Sequence, residues 1–255
     1  MSTKQWRCAA AVVAALVGAS GCGGTGGDEP VVAGGSTTGL PEEIPTAHPD
    51  PADFVGTIDN PYLPFVPGSR WVYRSTSDSG AERIVVTVTD RTRQVAGVTA
   101  TVVHDRVIEV GGGVIEDTYD WYAQDVDGNV WYLGEDTTSY EDGKASTEGS
   151  WEAGVDGAEA GLVMPAEPRP GQAYQQEYYA GEAEDEAEVL AVDDSVDVPL
   201  GHFDAVVETA DSTPLEPRLR ERKLYAPGVG VVMERDVAGG SEVVRLVRFD
   251  RPHGS

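Results

Sequence analysis

Glu82-Arg83-Ile84-Val85-Val86-Thr87-Val88-Thr89 decides the fold class of this chain. Ile84, Val86 and Val88 share one side of an extended backbone, and Val85, Thr87 and Thr89 share the other, because strand side chains alternate with a period of two. β-Branched residues suit that pleated surface. The same pattern continues on both sides. Arg70–Arg74 reads as the preceding strand, and Thr99–Val110 as a following one, turned by Gly111-Gly112-Gly113. Val114–Tyr122 and Val130–Leu133 come next, and Asp127-Gly128 between these aromatic stretches is a hairpin signal. Further strands are expected at 172–179, 184–192, 204–210, 220–225, 230–237 and 242–249. No long amphipathic helical stripe appears. The reading is an all-β chain: a single antiparallel domain over 54–250, either a strongly curved sheet or a β-barrel, placed after a disordered linker.

Two stretches are less regular. Gly181–Val192 (GEAEDEAEVLAV) contains helix formers but alternates Glu182, Glu184, Glu186 and Glu188 against Ala183, Ala187, Val189 and Ala191. A strand is favoured and a short helix is the alternative. Trp151–Pro168 reads as a long irregular connection, a flap over the sheet or barrel mouth.

The N-terminus carries an address. Lys4 and Arg7 precede the apolar run Cys8–Val17, and Ala19-Ser20-Gly21 precede Cys22. The run is too short to span a bilayer, which needs ~20 residues, and fits a signal peptide. The pattern over 1–22 resembles bacterial lipoprotein signals, which implies that 1–21 is removed and Cys22 becomes the diacylated, palmitate-type anchor. An ordinary secretory signal cleaved near Ala19 is the alternative. The only cysteines are Cys8 and Cys22, so the mature domain would have no disulfide and no Cys nucleophile. Residues 22–53, with Gly23-Gly24-Thr25-Gly26-Gly27 and Gly34-Gly35-Ser36, have flexible-linker composition. Residues 251–255 are a tail.

Charge narrows the partners. The chain has 18 basic and 44 acidic residues, a net charge of −26. Nucleic acid is excluded by repulsion, and anionic headgroups are disfavoured. Scarce lysine with abundant Ala, Gly, Val, Asp and Arg points to a GC-rich, actinobacterial genome. The expected location is therefore extracytoplasmic, on the outer face of the cytoplasmic membrane.

Few motifs carry chemistry. Asp125, Asp127, Asn129 and Asp136 occupy positions 1, 3, 5 and 12 of an EF-hand-like spacing, so calcium is considered there. Val130 stands where that loop needs Gly, and an acidic hairpin turn is the simpler reading. Glu182–Glu188 could likewise gather cations or be a solvated strand face. His48, His104, His202 and His253 are scattered, with no zinc-type spacing. There is no nucleophile elbow or phosphate loop. With 44 acids, carboxylate pairs at ~5–9 Å arise by chance. Trp71, Tyr73, Trp121, Trp131 and Tyr178 are the candidates for lining a cavity that takes an apolar or sugar-like ligand, set against ordinary cross-strand packing. Tyr122, Tyr132, Trp151, Tyr174 and Tyr225 belong to the same aromatic set.

Val198-Pro199-Leu200-Gly201-His202-Phe203-Asp204, Tyr225-Ala226-Pro227-Gly228-Val229-Gly230-Val231-Val232 and the Asn60–Tyr73 segment (NPYLPFVPGSRWVY) resemble motifs of a widespread group of bacterial secreted lipoproteins with no assigned activity. Trp121–Asp125 and Gly149–Gly154 are similar to segments of the same group. The resemblance implies a fold, not a chemistry. The sequence thus leads to a non-catalytic envelope lipoprotein, a binding or interaction module held to the membrane by its lipid. The alternatives are a carrier of a hydrophobic or lipid ligand in a β cavity, a divalent-cation-binding domain, and a carboxylate-based hydrolase.

Overall fold

The alternation around Ile84 belongs to a strand twice as long as the quoted stretch. In the structure, a computed structural model that describes residues 49–252, this strand runs for 16 residues, Gly80–Val95. The signal, Cys22, the linker up to residue 48 and His253 lie outside the described residues.

A short 3-10 turn at Pro51–Asp53 leads into β1 (Phe54–Val55). Then follow β2 (Arg70–Ser77), β3 (Gly80–Val95), β4 (Val98–Glu109), β5 (Val114–Asp125) and β6 (Val130–Glu141). The short β7 (Lys144–Ser146) and β8 (Trp151–Glu152) precede β9 (Glu159–Met164), β10 (Ala173–Gln175) and β11 (Glu177–Tyr178). The chain finishes with β12 (Glu186–Val198), β13 (Gly201–Ser212), β14 (Arg220–Ala226), β15 (Gly230–Ala238) and β16 (Val243–Asp250). The hydrogen-bonded order is β10-β12-β13-β14-β15-β16-β2-β3-β4-β5-β6-β9-β11, antiparallel throughout, with β1 on β5 and with β7 and β8 on β6. The sheet curls into a nearly closed barrel, so the all-β expectation is met and the barrel form of it is the one adopted.

The two ends of that order, β10 and β11, are consecutive segments of one bent strand. Residues 173–175 pair with β12, and residues 177–178 pair with β9. The bend falls at Gln176, whose N–H donates to the Asp185 carbonyl at 2.7 Å. A single short segment therefore closes the barrel by holding one edge with its first half and the other edge with its second. Gly161 on β9 makes this fit: a Cβ there would overlap the backbone of Gln176.

One end of the barrel is plugged by residues 58–69. Ile58, Leu63 and Phe65 are buried, and Phe65 packs edge-on to Trp71 and tilted against Tyr122, with ring centroids 6.0 and 4.9 Å apart. Asn60 ties the plug down. Its Oδ1 accepts from the N–H of Tyr62, and its Nδ2 donates to the carbonyls of Gly128 and Pro165. The β14–β15 hairpin joins in, since Trp71 Nε1 donates to the Val229 carbonyl and Tyr73 Oη to that of Val231. The Asn60–Tyr73 and Tyr225–Val232 motifs thus meet as one structural unit.

Trp151–Pro168 corrects the sequence reading. It is not a flap: it supplies β8 and β9, and Leu162, Val163 and Met164 are buried as β9 pairs with β6. A run buried on both faces has no alternation to reveal it. Gly181–Val192 also divides, with turn structure at its start and β12 from Glu186 onward.

Candidate functional site: the acidic barrel interior

Cross-strand partners share a face, so the ladder registers assign the inner surface directly. One inner row joins Trp71, Val86, Asp105, Thr118 and Thr137, and a neighbouring row joins Val88, Val103, Asp120 and Glu135. On the far side, Val189, Thr209, Lys223, Glu234 and Val244 form a row beside Tyr174, Ala187, Asp211 and Glu221. Asp105, Asp120, Glu135, Glu177, Asp185, Asp211, Glu221, Glu234 and Lys223 are all buried, as are Tyr73, Tyr122, Tyr132, Tyr174 and Tyr225. Among the described residues Lys223 is the one buried lysine or arginine.

The interior has two chemically distinct halves. In the first, Lys223 Nζ lies 3.1 Å from Asp211 Oδ2, and both side chains are 4% exposed. Thr209 Oγ1 donates to Asp211 Oδ1. Burial alone would push the Lys223 ammonium down, but Asp211, Glu234, Tyr225 and Glu221 outweigh it and hold its pKa well above the usual lysine range. Burial pushes Glu221 up to about 8 against the pull of Lys223, and Glu234 is raised in the same way.

The second half is built from β5, β6 and the closing strand. Tyr132 Oη lies 2.9 Å from Asp120 Oδ1 and 3.1 Å from Glu135 Oε2. Residues 132 and 135 would face opposite ways on a regular strand. A bulge between Tyr132 and Glu135, opposite Trp121, turns both inward. Gly134 permits it with φ +127°, a conformation that favours glycine. A Cβ at that position would also overlap the Trp151 carbonyl. Tyr132 stacks on Tyr122 at 4.8 Å and meets Trp151 edge-on at 5.2 Å. Trp151 Nε1 in turn donates to Glu177 Oε2 at 3.0 Å.

Proton placement follows from these contacts. A phenol has one proton, and the Tyr132 hydroxyl offers it to Asp120 Oδ1 and Glu135 Oε2. The neutral form of Glu135 is favoured in this cluster. Its ionisation is opposed first by burial and then by Asp120, Glu177 and Glu116. Burial raises Asp120 to about 7 despite the Tyr132 hydrogen bond. Burial and then Asp185 raise Glu177, while Trp151 and Lys223 oppose the rise. At the unplugged end, burial followed by Glu242 and Glu109 raises Glu82 to about 7, and burial followed by Asp120 raises Glu116 to about 8. Ser75 hydrogen-bonds Glu242 at the same rim.

Some of these groups have no protein partner. The Tyr122 and Tyr174 hydroxyls, Gln176 Nε2, Glu177 Oε1 and Glu234 Oε2 are buried without a hydrogen bond. Tyr174, Gln176 and Glu177 all lie on the closing strand.

The residues expected to line a cavity divide between the faces. Trp71 and Tyr73 are on the inner face. Trp121 is on the outer face beneath the Arg93 guanidinium, 3.9 Å from its ring, and Trp131 is also outside, donating through Nε1 to Asp125 Oδ2. This corrects the placement of both: the alternation in β5 and β6 puts Tyr122 and Tyr132 inside and their tryptophan neighbours outside. Tyr178 is half-buried opposite Glu159. Asp125 organises its hairpin, with Oδ1 accepting from the N–H groups of Asp127 and Asn129 and Oδ2 from Asn129 Nδ2 as well as Trp131. Asp136 stands away from it, across from Tyr119. Among the described residues, no group of three or more His, Cys, Asp or Glu side chains is placed to hold a metal ion. The inner carboxylates themselves were not distinguished in the sequence, because strand acids look alike whichever way they face.

No protein-family model and no curated protein matches the chain. Two solved structures resemble it. One, from Bacteroides fragilis, is described as exported and as having a YmcC-like fold; it is 15% identical, covering 74% of this chain and 99% of its own, with a TM-score of 0.45. The other, from Parabacteroides distasonis, is described as a lipoprotein; it is 11% identical, covering 74% of this chain and 98% of its own, with a TM-score of 0.41.

Proposed function

We propose that this protein is a lipid-anchored extracytoplasmic binding module whose barrel interior takes up a small polar ligand without transforming it. One observation carries the binding reading: Glu177 Oε1 and the Tyr122 hydroxyl are fully buried, without partners, amid other inward-facing acids. A purely structural core satisfies its buried polar groups, because each one left unmade costs ~1–3 kcal/mol. Groups held at that cost in a cluster are suited to a guest. The same lining argues against an acyl chain, which would desolvate carboxyls and offer them no hydrogen bond. The anchor rests on the segment ending at Cys22.

Two measurements test the reading. Intact mass spectrometry of the protein purified from membranes should show a diacylglyceryl group on Cys22, and Cys22→Ala should release the chain into the soluble fraction. A thermal-shift screen over cationic, anionic, sugar-like and apolar small molecules should find at least one stabilising class. A panel in which nothing stabilises the folded chain would refute the binding module.

A further inference from the structure

We propose that the half of the interior formed by Asp120, Glu135 and Glu177 with Tyr122 and Tyr132 binds a cation that presents N–H donors, an alkylammonium or a guanidinium group. This rests on the reading of the interior as a binding element and names its ligand class.

The first argument is the contrast between the two halves. The Lys223 half shows how this barrel accommodates an ammonium: one carboxylate at 3.1 Å, with further acids and a tyrosine around it. The Glu177 half repeats the ingredients. Asp120, Glu135, Glu177, Tyr122 and Tyr132 are buried together there, and Lys223, the one buried lysine or arginine among the described residues, reaches them only through its field on Glu177 because its ammonium is paired with Asp211.

The second argument is donor and acceptor matching. Asp120 and Glu135 are engaged by Tyr132, and Glu177 Oε2 by Trp151. Glu177 Oε1 and the Tyr122 oxygen are left to accept. A carboxylate accepts only, and a phenol oxygen can accept while its proton turns elsewhere. An ammonium or guanidinium supplies several donors from one charged centre, and charge-assisted bonds of this kind are the strong ones. Asp120, whose pKa lies at about 7, gives such a guest its counter-charge, and Glu177, whose ionisation is opposed by burial and Asp185, releases its proton to solvent as the cation enters.

Other ligand classes fit less well. A metal ion finds no ligand set of three or more among the described residues. An anion meets acidic groups on every side. A quaternary ammonium brings charge but no donor for Glu177 Oε1.

Access follows from the fold. Glu177 sits beside the bend of the closing strand, where only two residue pairs join β11 to β9 and three join β10 to β12. Parting this seam opens the interior at the unpartnered carboxyl. Short ladders of this kind open locally at lower cost than the long ones.

Isothermal titration of the full mature chain at about pH 8, where Asp120 is mostly ionised, tests the proposal with n-butylamine, putrescine and agmatine. Tetramethylammonium, calcium chloride and glucose serve as comparators. The amines should bind saturably, and tetramethylammonium should not. Glu177→Gln keeps an acceptor for Trp151 but loses the charge, and should weaken amine binding about tenfold or more. Tyr122→Phe removes the second acceptor from within a ring stack, and should weaken binding severalfold if Glu177→Gln proves poorly folded. Equal binding of tetramethylammonium, or amine binding unchanged in a folded variant, would overturn the proposal. Binding of glucose but not the amines would overturn the ligand class and leave the binding module standing. No binding by any probe class, here or in the broader screen, would remove both.

Discussion

A buried ion pair tests the interior most directly at the level of single residues. Lys223 compensates Asp211 and tempers Glu221 and Glu234, so removing its charge leaves buried acids without their cation. Lys223→Met is expected to lower stability by about 3–5 kcal/mol, read from the urea midpoint, because breaking one side of a buried pair strands the other. Adding Asp211→Asn to Lys223→Met should recover a measurable part of that loss, since the stranded carboxylate is then neutral. A double variant no more stable than the single one would show that Lys223 acts through packing alone. Little of this was legible in the sequence. Glu135, Glu221 and Glu234 sit in strands whose alternation leaves the inner face unassigned, and an acid on a strand ordinarily faces water. The Tyr119-Asp120-Trp121-Tyr122 stretch showed two faces but not which was inside, and tryptophan is the more natural choice for a cavity wall. The bulge at Gly134 then altered the parity within β6 itself, which periodicity alone does not show.

At the scale of elements, most long strands were legible in part, β6 only in its first four residues and β3 in its middle half, and the closing strand's role was not. β2, β3, β4, β5 and β13 follow from β-branched and aromatic alternation punctuated by Gly and Pro, whereas β12 was read from its Glu/Ala alternation with a short helix as the alternative. Residues 172–179 read as one ordinary strand, and the bend at Gln176 that lets it serve both edges depends on β9 and β12, which are distant in sequence from each other. Gly161 is the hinge of this closure. Gly161→Ala should destabilise the fold by about 2–4 kcal/mol, because the added methyl meets the backbone of Gln176, which cannot turn aside as a side chain could. Hydrogen exchange adds a second check at this scale. Amides of residues 173–185 should exchange ahead of those in β3 and β4, whose ladders are long. Uniform protection across the two regions would mean that the seam is no weaker than the wall.

For the whole molecule, the acids set an unusual dependence on pH. Glu82 and Asp120 are raised to about 7, and Glu116 and Glu221 to about 8, by burial above all. The unfolded chain releases these protons near the ordinary carboxylate range, at about pH 4–4.5. Between that range and about pH 8 the folded state holds protons that the unfolded state has given up, so stability falls as pH rises through the window. Lys223, held above its usual range, keeps its charge throughout and does not reverse the sign. Mutual repulsion in a chain of net charge −26 acts in the same direction. The melting temperature should therefore be higher at about pH 5.5 than at about pH 8.5, by on the order of 5–10 °C. Glu116→Gln should flatten part of the slope, since an amide has no proton to lose. A melting temperature that rises with pH across this window would mean that the inner acids are ionised at little cost, and that the barrel is wetter inside than its packing shows.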